Sequence, residues 1–597
     1  MMKTEQKGGK RKLAVKPIQN KLRRQANTVE RVAKKHTRVF FANRVDNLRK
    51  SRKNVMSWLI VVVALAAIVL VQSLFLSDRY QTTTPSTGGS YAEGVIGEIS
   101  TINPLFAQTE PEMATSQLVY GGLLRFDSSN RLRGEIAKSF SISDDGLIYD
   151  VKLRQNVKWQ DTDINVSADD VIYTLDLIKS TQVASPLYST WRNVKVEKTD
   201  KYAIRFTLRS PISPFPQALT FGILPKHELE SVSFTDIREH ISENMIIGSG
   251  PYKYRLTTGL NGEKTLSFAS NEQYFRSAPK IKNFYIKTYP NSEKMLAGIS
   301  NGDINGAVGL MDRDASKLVQ QKDGFILPVP LDSGVYTIFN NERPIVNSKS
   351  VRSALRLATD RTALIDAVAS GGLSRPSELN SPIAKGIFES IDVMKQPGYD
   401  PSAAMSTLDA SGWLVGKDGI REKDGQRLEL NMVTVKESDY EPIANLIAEQ
   451  WRKVGVDTKL TLAETSNVQQ NHLVPRAYDV LIYQLQLGAD PDVYAYWHSS
   501  NVKPQRLNLA NYKSAVADLA LFGGRTVSES QREAKYITFV ETWLEDAPAI
   551  ALYRPNLNYW HSDGVVSLSK SPLSDEMDRF RQVYNWSVET ETVYNTP

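Results

Sequence analysis

Asp490-Pro-Asp492 sets two carboxylates two positions apart, a pair that could divide acid and base roles. An Asp-Pro step also favours a turn, so a loop at a strand end accounts for the pair without catalysis. Asp312 and Asp314 make a second close pair and are expected to lie on a solvated loop. Gly248-Ser-Gly250 flanks a serine with glycines but lacks the G-x-S-x-G spacing of a nucleophile elbow. It is expected to turn the chain before Pro251, with glycine supplying a positive φ. The six histidines, His36, His227, His240, His472, His498 and His561, include no pair at metalloprotease spacing. There is no cysteine, which removes a thiol nucleophile, thiolate metal sites, disulfides and an acylated-cysteine anchor. No G-x-x-x-x-G-K-[ST] phosphate loop occurs. Without a convergent acid, base and nucleophile, the chain is not expected to be an enzyme, and no metal or cofactor is expected.

Binding chemistry is better represented. Tyr478 to Leu487 has the composition of a strand covered on both faces, and it runs into Tyr483-Gln-Leu-Gln-Leu-Gly-Ala-Asp490. Gln484 and Gln486 share one face near its carboxyl end, where open α/β sheets bind ligands. Two readings stand for them: they face a cleft and hydrogen-bond ligand amides or hydroxyls, or they pair with loop backbone.

The elements that must position these residues show α/β patterning. Tyr149, Val151 and Leu153 alternate with polar residues as in a half-buried strand. Ser167 and Asp170 have the spacing of a helix start, with Val171, Leu175 and Ile178 on one face of the helix that follows. Ile443, Leu446, Ile447, Trp451 and Val454 follow helical spacing up to Gly455, and Val456, Thr458, Leu460 and Leu462 then alternate as a strand.

A chain of 597 residues exceeds one ordinary core, so two or more lobes are expected. Its 41% hydrophobic and 23% charged residues are those of a globular protein. The net charge of +7 is unevenly placed: residues 1–55 hold 18 Lys and Arg against 3 Asp and Glu, a charge of +15, which leaves −8 on the other 542. A nucleic-acid partner is therefore not expected. Met56 to Leu76 is 21 uncharged residues, enough at about 1.5 Å each to span a hydrocarbon layer of about 30 Å. Arg49, Lys50, Arg52 and Lys53 precede it and Arg79 alone follows, so the N-terminus is expected in the cytoplasm and the body outside the cell or in the periplasm. Ser77-Asp78-Arg79 lacks the small residues of a cleavage site, so 56–76 is read as a transmembrane signal-anchor behind the basic tail 1–55. Residues 77–90 read as a polar linker. Leu22, Ala26, Val29 and Ala33 have weak helical spacing, which suits either an amphipathic helix on anionic lipid or a solvated tail.

Across the body, a series of segments recurs in a fixed order. Tyr120-Gly-Gly-Leu-Leu-Arg-Phe-Asp127 is followed by Asp144-Asp-Gly-Leu-Ile-Tyr-Asp-Val-Lys-Leu-Arg154, Val157-Lys-Trp159 and Ser167-Ala-Asp-Asp-Val-Ile172. Ile247-Gly-Ser-Gly-Pro-Tyr252, Val351-Arg-Ser-Ala-Leu, Ala358-Thr-Asp-Arg361, Tyr399-Asp-Pro401 and Asp490-Pro-Asp492 come after. In this order the chain resembles the oligopeptide/dipeptide-binding family (family 5) of solute-binding proteins that serve ABC importers. The resemblance implies an α/β, periplasmic-binding-protein-like fold with two lobes, an interlobe ligand cleft and an extra subdomain. Lobe I would take about 91–124, 249–333 and 550–597, the extra subdomain about 125–248 and lobe II about 334–549. The hinge would lie near Ser333–Asn341 and Ala547–Tyr553. The implied partners are a peptide or other small polar ligand and an ABC-transporter permease.

The chain departs from the family's peptide-gripping pattern. Leu487 stands where an amine-binding aspartate is found in peptide binders, Gln484 where an aromatic is common, and Leu481 where some members have a basic residue. A buried ammonium without a carboxylate is costly, so Asp490 is the candidate substitute anchor. Trp191, Tyr336 and Trp497 are expected at the cleft rim, and Asn340, at the polar end of Val335–Asn341, completes the candidate contact set with Gln484, Gln486 and Asp490. Peptide is the expected ligand. An oligosaccharide or other polar solute on the same fold, and a surface sensor without a permease, are the alternatives.

Overall fold

The computed structural model describes residues 34–35, 52–238, 240, 247–260, 263–321, 324–369, 373–436, 439–465 and 467–594. The expected helical spacing at 22–33 lies outside the described residues. The chain divides into two compact units, Met1–Thr84 with Thr592–Pro597, and Pro85–Glu591.

The first unit contains a helix, Arg52–Tyr80, of 29 residues. Its apolar side chains from Met56 to Val71, Trp58 and Leu70 among them, are exposed. Side chains in this helix are described only as far as Gln72, and among the described residues no helix is long and apolar enough to cross a membrane.

Among the described residues the second unit holds two large sheets and three smaller ones. A seven-stranded sheet runs Phe325–Pro330, Asn556–His561, Gly306–Ala307, Ser90–Ile96, Asn283–Tyr289, Glu263–Ser270, Tyr252–Leu260. A six-stranded sheet runs Ser377–Glu378, Ala549–Arg554, Ser333–Phe339, Val480–Gln486, Glu429–Val435, Asp457–Ala463. The central strands of the six-stranded sheet are nearly continuous runs of apolar residues because both faces are covered. Tyr336 and Ile338 enter one core while Val335 and Phe339 enter another on the opposite face. A four-stranded antiparallel sheet, with Ile148–Leu153 and Ala203–Thr207 at its centre, packs onto the core of the seven-stranded sheet.

Local signals act where the sequence puts them. Tyr149, Val151 and Leu153 are buried, while Asp150 on the other face pairs with Arg205 across the strands at 2.7 Å. Asp170 accepts the N–H of Ser167 at 2.8 Å and its hydroxyl at 2.9 Å, closing the start of helix Ala168–Lys179. Helix Tyr440–Arg452 buries Ile443, Ile447 and Trp451, and Gly455 beyond it has φ +86°. The strand after it, Asp457–Ala463, lies at the sheet edge, so Leu462 is left 36% exposed.

One expectation is corrected. Gly248 and Gly250 do not have positive φ. They are glycines because the chain passes against Val119: a Cβ on Gly248 would sit 1.9 Å from the Val119 carbonyl oxygen, and one on Gly250 2.7 Å from it. At the segments near which the hinge is expected, Ser333–Phe339 and Ala549–Arg554 are buried strands of the six-stranded sheet. The chain crosses between sheets just before and just after them, at Leu331–Asp332 and at Pro555. There Arg554 donates to the Asp332 carboxylate and, at 2.6 Å, to the Leu331 carbonyl, which ties the two crossings together.

Candidate ligand-binding site

Between the two large sheets lies a cavity with about 840 Å³ of empty volume, open to solvent. The half built on the seven-stranded sheet contributes Asp312, Asn558 and Glu576, and the other half contributes Asp439, Gln484 and Tyr553. Each follows from its element. Asp312 opens helix Asp312–Gln321, shortly after strand Gly306–Ala307. Asn558 is on strand Asn556–His561. Asp439 directly precedes helix Tyr440–Arg452, and Gln484 and Tyr553 stand on the two strands of the six-stranded sheet that flank Ser333–Phe339. A second recess of about 1,020 Å³ adjoins, sharing Met311, Asp312, Val368 and Asp439 with the first.

Asp312 is therefore not on a solvated loop. Its carboxylate accepts from Asn558 Nδ2 at 2.5 Å, and its backbone N–H donates to Asp439 Oδ1 at 2.9 Å. Burial and the neighbouring Asp439 charge push the Asp312 carboxyl up to about 7, and burial also raises Asp439. Glu576 is pushed up to about 8 by burial and by Glu110. The segment carrying Glu576 is held by Arg579, fully buried, which donates to Glu93 at 2.8 Å and to Glu110. The Tyr559 hydroxyl gives Glu93 a further bond at 2.6 Å.

Gln484 faces the cavity, but both ends of its amide are engaged: Oε1 accepts from the Tyr440 hydroxyl at 2.7 Å and Nε2 donates to Ser333 Oγ at 3.1 Å. Gln486 turns to backbone instead, donating to the carbonyls of Ser574 and Asp332. Asp490 is not available as a ligand anchor, because Arg532 donates to both its oxygens, at 3.0 and 2.6 Å. Asp492 is paired through one oxygen, Oδ2, with Arg525 Nε at 2.8 Å. Leu487 is buried and its N–H donates to the Asp332 carbonyl at 2.9 Å.

The aromatic expectations are corrected too. Tyr336 and Trp497 are core residues, 0% and 1% exposed, in edge contact with each other and with Trp543. The Tyr336 hydroxyl is spent on the Ser381 carbonyl at 3.0 Å. Asn340 is buried and donates to the carbonyls of Arg476 and Tyr478, closing a loop. Trp191 is 1% exposed and lines a separate, mainly apolar recess with Met113, Leu187, Phe221 and Met577. Of the seven expected contacts, only Gln484 lines the cavity. Asp312, Asp439, Tyr553 and Glu576 were missed. The one sequence signal was the position of Asp312 just past a short strand, the usual place for a ligand contact.

The arrangement suits binding. The family model for bacterial extracellular solute-binding proteins, family 5, matches residues 131–506. The oligopeptide-binding protein AppA of Bacillus subtilis is 29% identical over 540 residues, covering 88% of this chain and 98% of that protein. Its structure in complex with a nonapeptide superposes with a TM-score of 0.68 at 26% identity, over 84% of this chain and 99% of that one. The structure of NikZ from Campylobacter jejuni in complex with Ni(L-His) gives 0.70 at 26% identity, over 83% and 99%. The chain thus belongs to family 5 of the bacterial extracellular solute-binding proteins, and it is a binding protein rather than an enzyme.

Proposed function

We propose that the protein captures peptides in the cavity between its two large sheets and presents them to an ABC importer from a membrane anchor. The observation that carries the peptide reading is a cavity walled by both halves of the fold, in a chain that matches an oligopeptide-binding protein over nearly all of that protein's length. Peptide recognition through backbone hydrogen bonds suits the polar groups at this wall, Asn556 and Asn558 among them. Closure of the two halves over ligand follows as a shift between open and closed states. The anchor rests on the uncharged run Met56–Leu76 and its basic flank. An anchor near a permease raises the receptor's effective concentration there.

A second reading, the same fold tuned to another polar solute, is favoured by one observation: Leu487, at the position of the peptide binders' amine anchor, is buried in the core. Thermal unfolding of the full chain in detergent, against tri- to nonapeptides and oligosaccharides, separates the two. A ligand at 100 times its Kd adds about 2.7 kcal/mol of stability. A shift with peptides supports the first reading, and a shift with sugars alone overturns it in favour of the second.

A further inference from the structure

The cavity gathers carboxyl groups from both of its walls. Asp312 comes from the half built on the seven-stranded sheet and Asp439 from the half built on the six-stranded sheet, and they meet across the Asp312 N–H bond of 2.9 Å. Among the described residues neither is in a salt bridge. The neighbouring Arg313 is mostly exposed and lies 4.0 Å from Asp314, which also takes Lys317 at 2.9 Å. Glu576 lines the same cavity, and Arg579, whose charge reaches it, is already held by Glu93 and Glu110.

A second observation is independent of these carboxylates. Tyr553 is 2% exposed and lines the cavity, and among the described residues no side chain or backbone group is seen to hydrogen-bond its hydroxyl. It lies close enough to Asp312, Asp439 and Tyr440 to feel their charges. The hydroxyl is not among the fully enclosed unpaired atoms, so it opens onto the cavity, where a ligand donor can reach it.

We propose that this wall is a cation subsite, in which a ligand ammonium or guanidinium sits between Asp312 and Asp439 with the Tyr553 hydroxyl oxygen as a third acceptor. The inference rests on reading the cavity as the peptide site. An ammonium has three donors and no acceptor, matching two carboxylates and one hydroxyl. Like charges brought together from opposite walls resist closure, and a cation between them reverses the sign of that interaction. The ligand's charge therefore latches the two halves. A hard metal cation would need about six oxygen ligands, whereas among the described residues no group of three or more acidic, histidine or cysteine side chains is placed to hold a metal. The subsite also gives the ligand's positive charge a partner that the Leu487 position does not.

The test is calorimetric titration of the full chain in detergent with tri- to nonapeptides. Each is prepared with a free amine and N-acetylated, and the acetylated set with and without one lysine. Peptides carrying a positive charge are expected to bind at least about tenfold more tightly than their neutral counterparts, as for hydrogen bonds to charged groups. The two cationic arms show whether the terminal amine or the lysine side chain is the group held. Asp312→Asn with Asp439→Asn should abolish that preference, so that charged and neutral peptides bind the double variant alike. Tyr553→Phe, which removes one oxygen and keeps the ring, should reduce the preference in the same direction, and it serves if the double variant does not fold. Equal binding of charged and neutral peptides to the native chain, or an undiminished preference in the variants, overturns the subsite while leaving peptide capture standing. No binding by any peptide overturns both.

Discussion

Asp312 and Asp439 show what a single residue gains from its surroundings. Both carboxyls are raised in the folded chain, Asp312 to about 7, so between about pH 4 and 7 the folded state holds more protons than the unfolded one. The destabilisation is therefore full above pH 7 and is relieved as the pH falls toward 4. The charged and titratable groups near the pair are Arg313, Asp314, Tyr440, Glu441, Tyr553 and Glu576. Asp312→Asn is expected to unfold at a higher temperature than the ligand-free native chain at pH 8, with the gap closing toward pH 5. A variant no more stable at pH 8 contradicts the repulsion. Asp490→Ala should act on stability instead of ligand choice, because it takes the carboxylate from Arg532, whose side chain is 4% exposed. Breaking a buried pair costs about 3–5 kcal/mol, measurable by denaturant unfolding. These fates were only partly legible. The face of Gln484 follows from strand period, but Gln486, two residues on, is claimed by the Ser574 carbonyl, from a segment far away in sequence. Nothing local distinguishes Tyr336 and Trp497, which are core, from rim aromatics.

Elements were more readable than sites, because periodicity is local and pairing is not. Strands Ile148–Leu153 and Val480–Gln486 and helices Ala168–Lys179 and Tyr440–Arg452 all stand where apolar spacing and caps place them. Gly248-Ser-Gly250 was found as a special segment but for the wrong physical reason, since close approach to Val119 leaves no mark in the sequence. Gly248→Ala should cost about 1–3 kcal/mol, as overpacking does. Gly398→Ala, where a Cβ meets nothing within 4 Å, should be near neutral. Equal unfolding midpoints for the two would contradict the close-approach account. The segment Glu576–Asn585 depends on one buried ion cluster. Arg579→Met leaves Glu93, 0% exposed, without its cation, and is expected to cost about 3–5 kcal/mol in thermal or denaturant unfolding.

For the whole molecule, order along the chain carried information that no single segment held. The series of motifs from Tyr120 to Asp492 pointed to the family, and the match over 131–506 with the superposition on AppA agrees. What stayed hidden is how lobes assembled from discontinuous segments face each other. The carboxylates lining the cavity come from residues 312, 439 and 576, and their meeting depends on the two chain crossings at Leu331–Asp332 and Pro555. The account's central claim is that peptide binds between those halves. The most direct test titrates the full chain in detergent with the nonapeptide series, alongside Ser374→Trp, which puts a bulky ring at an exposed position on the cavity wall. The account predicts saturable binding of one peptide per chain, weakened at least about tenfold by the tryptophan, on the scale of lost interface contacts. Binding that is unchanged by Ser374→Trp, or no binding of any peptide, would contradict it.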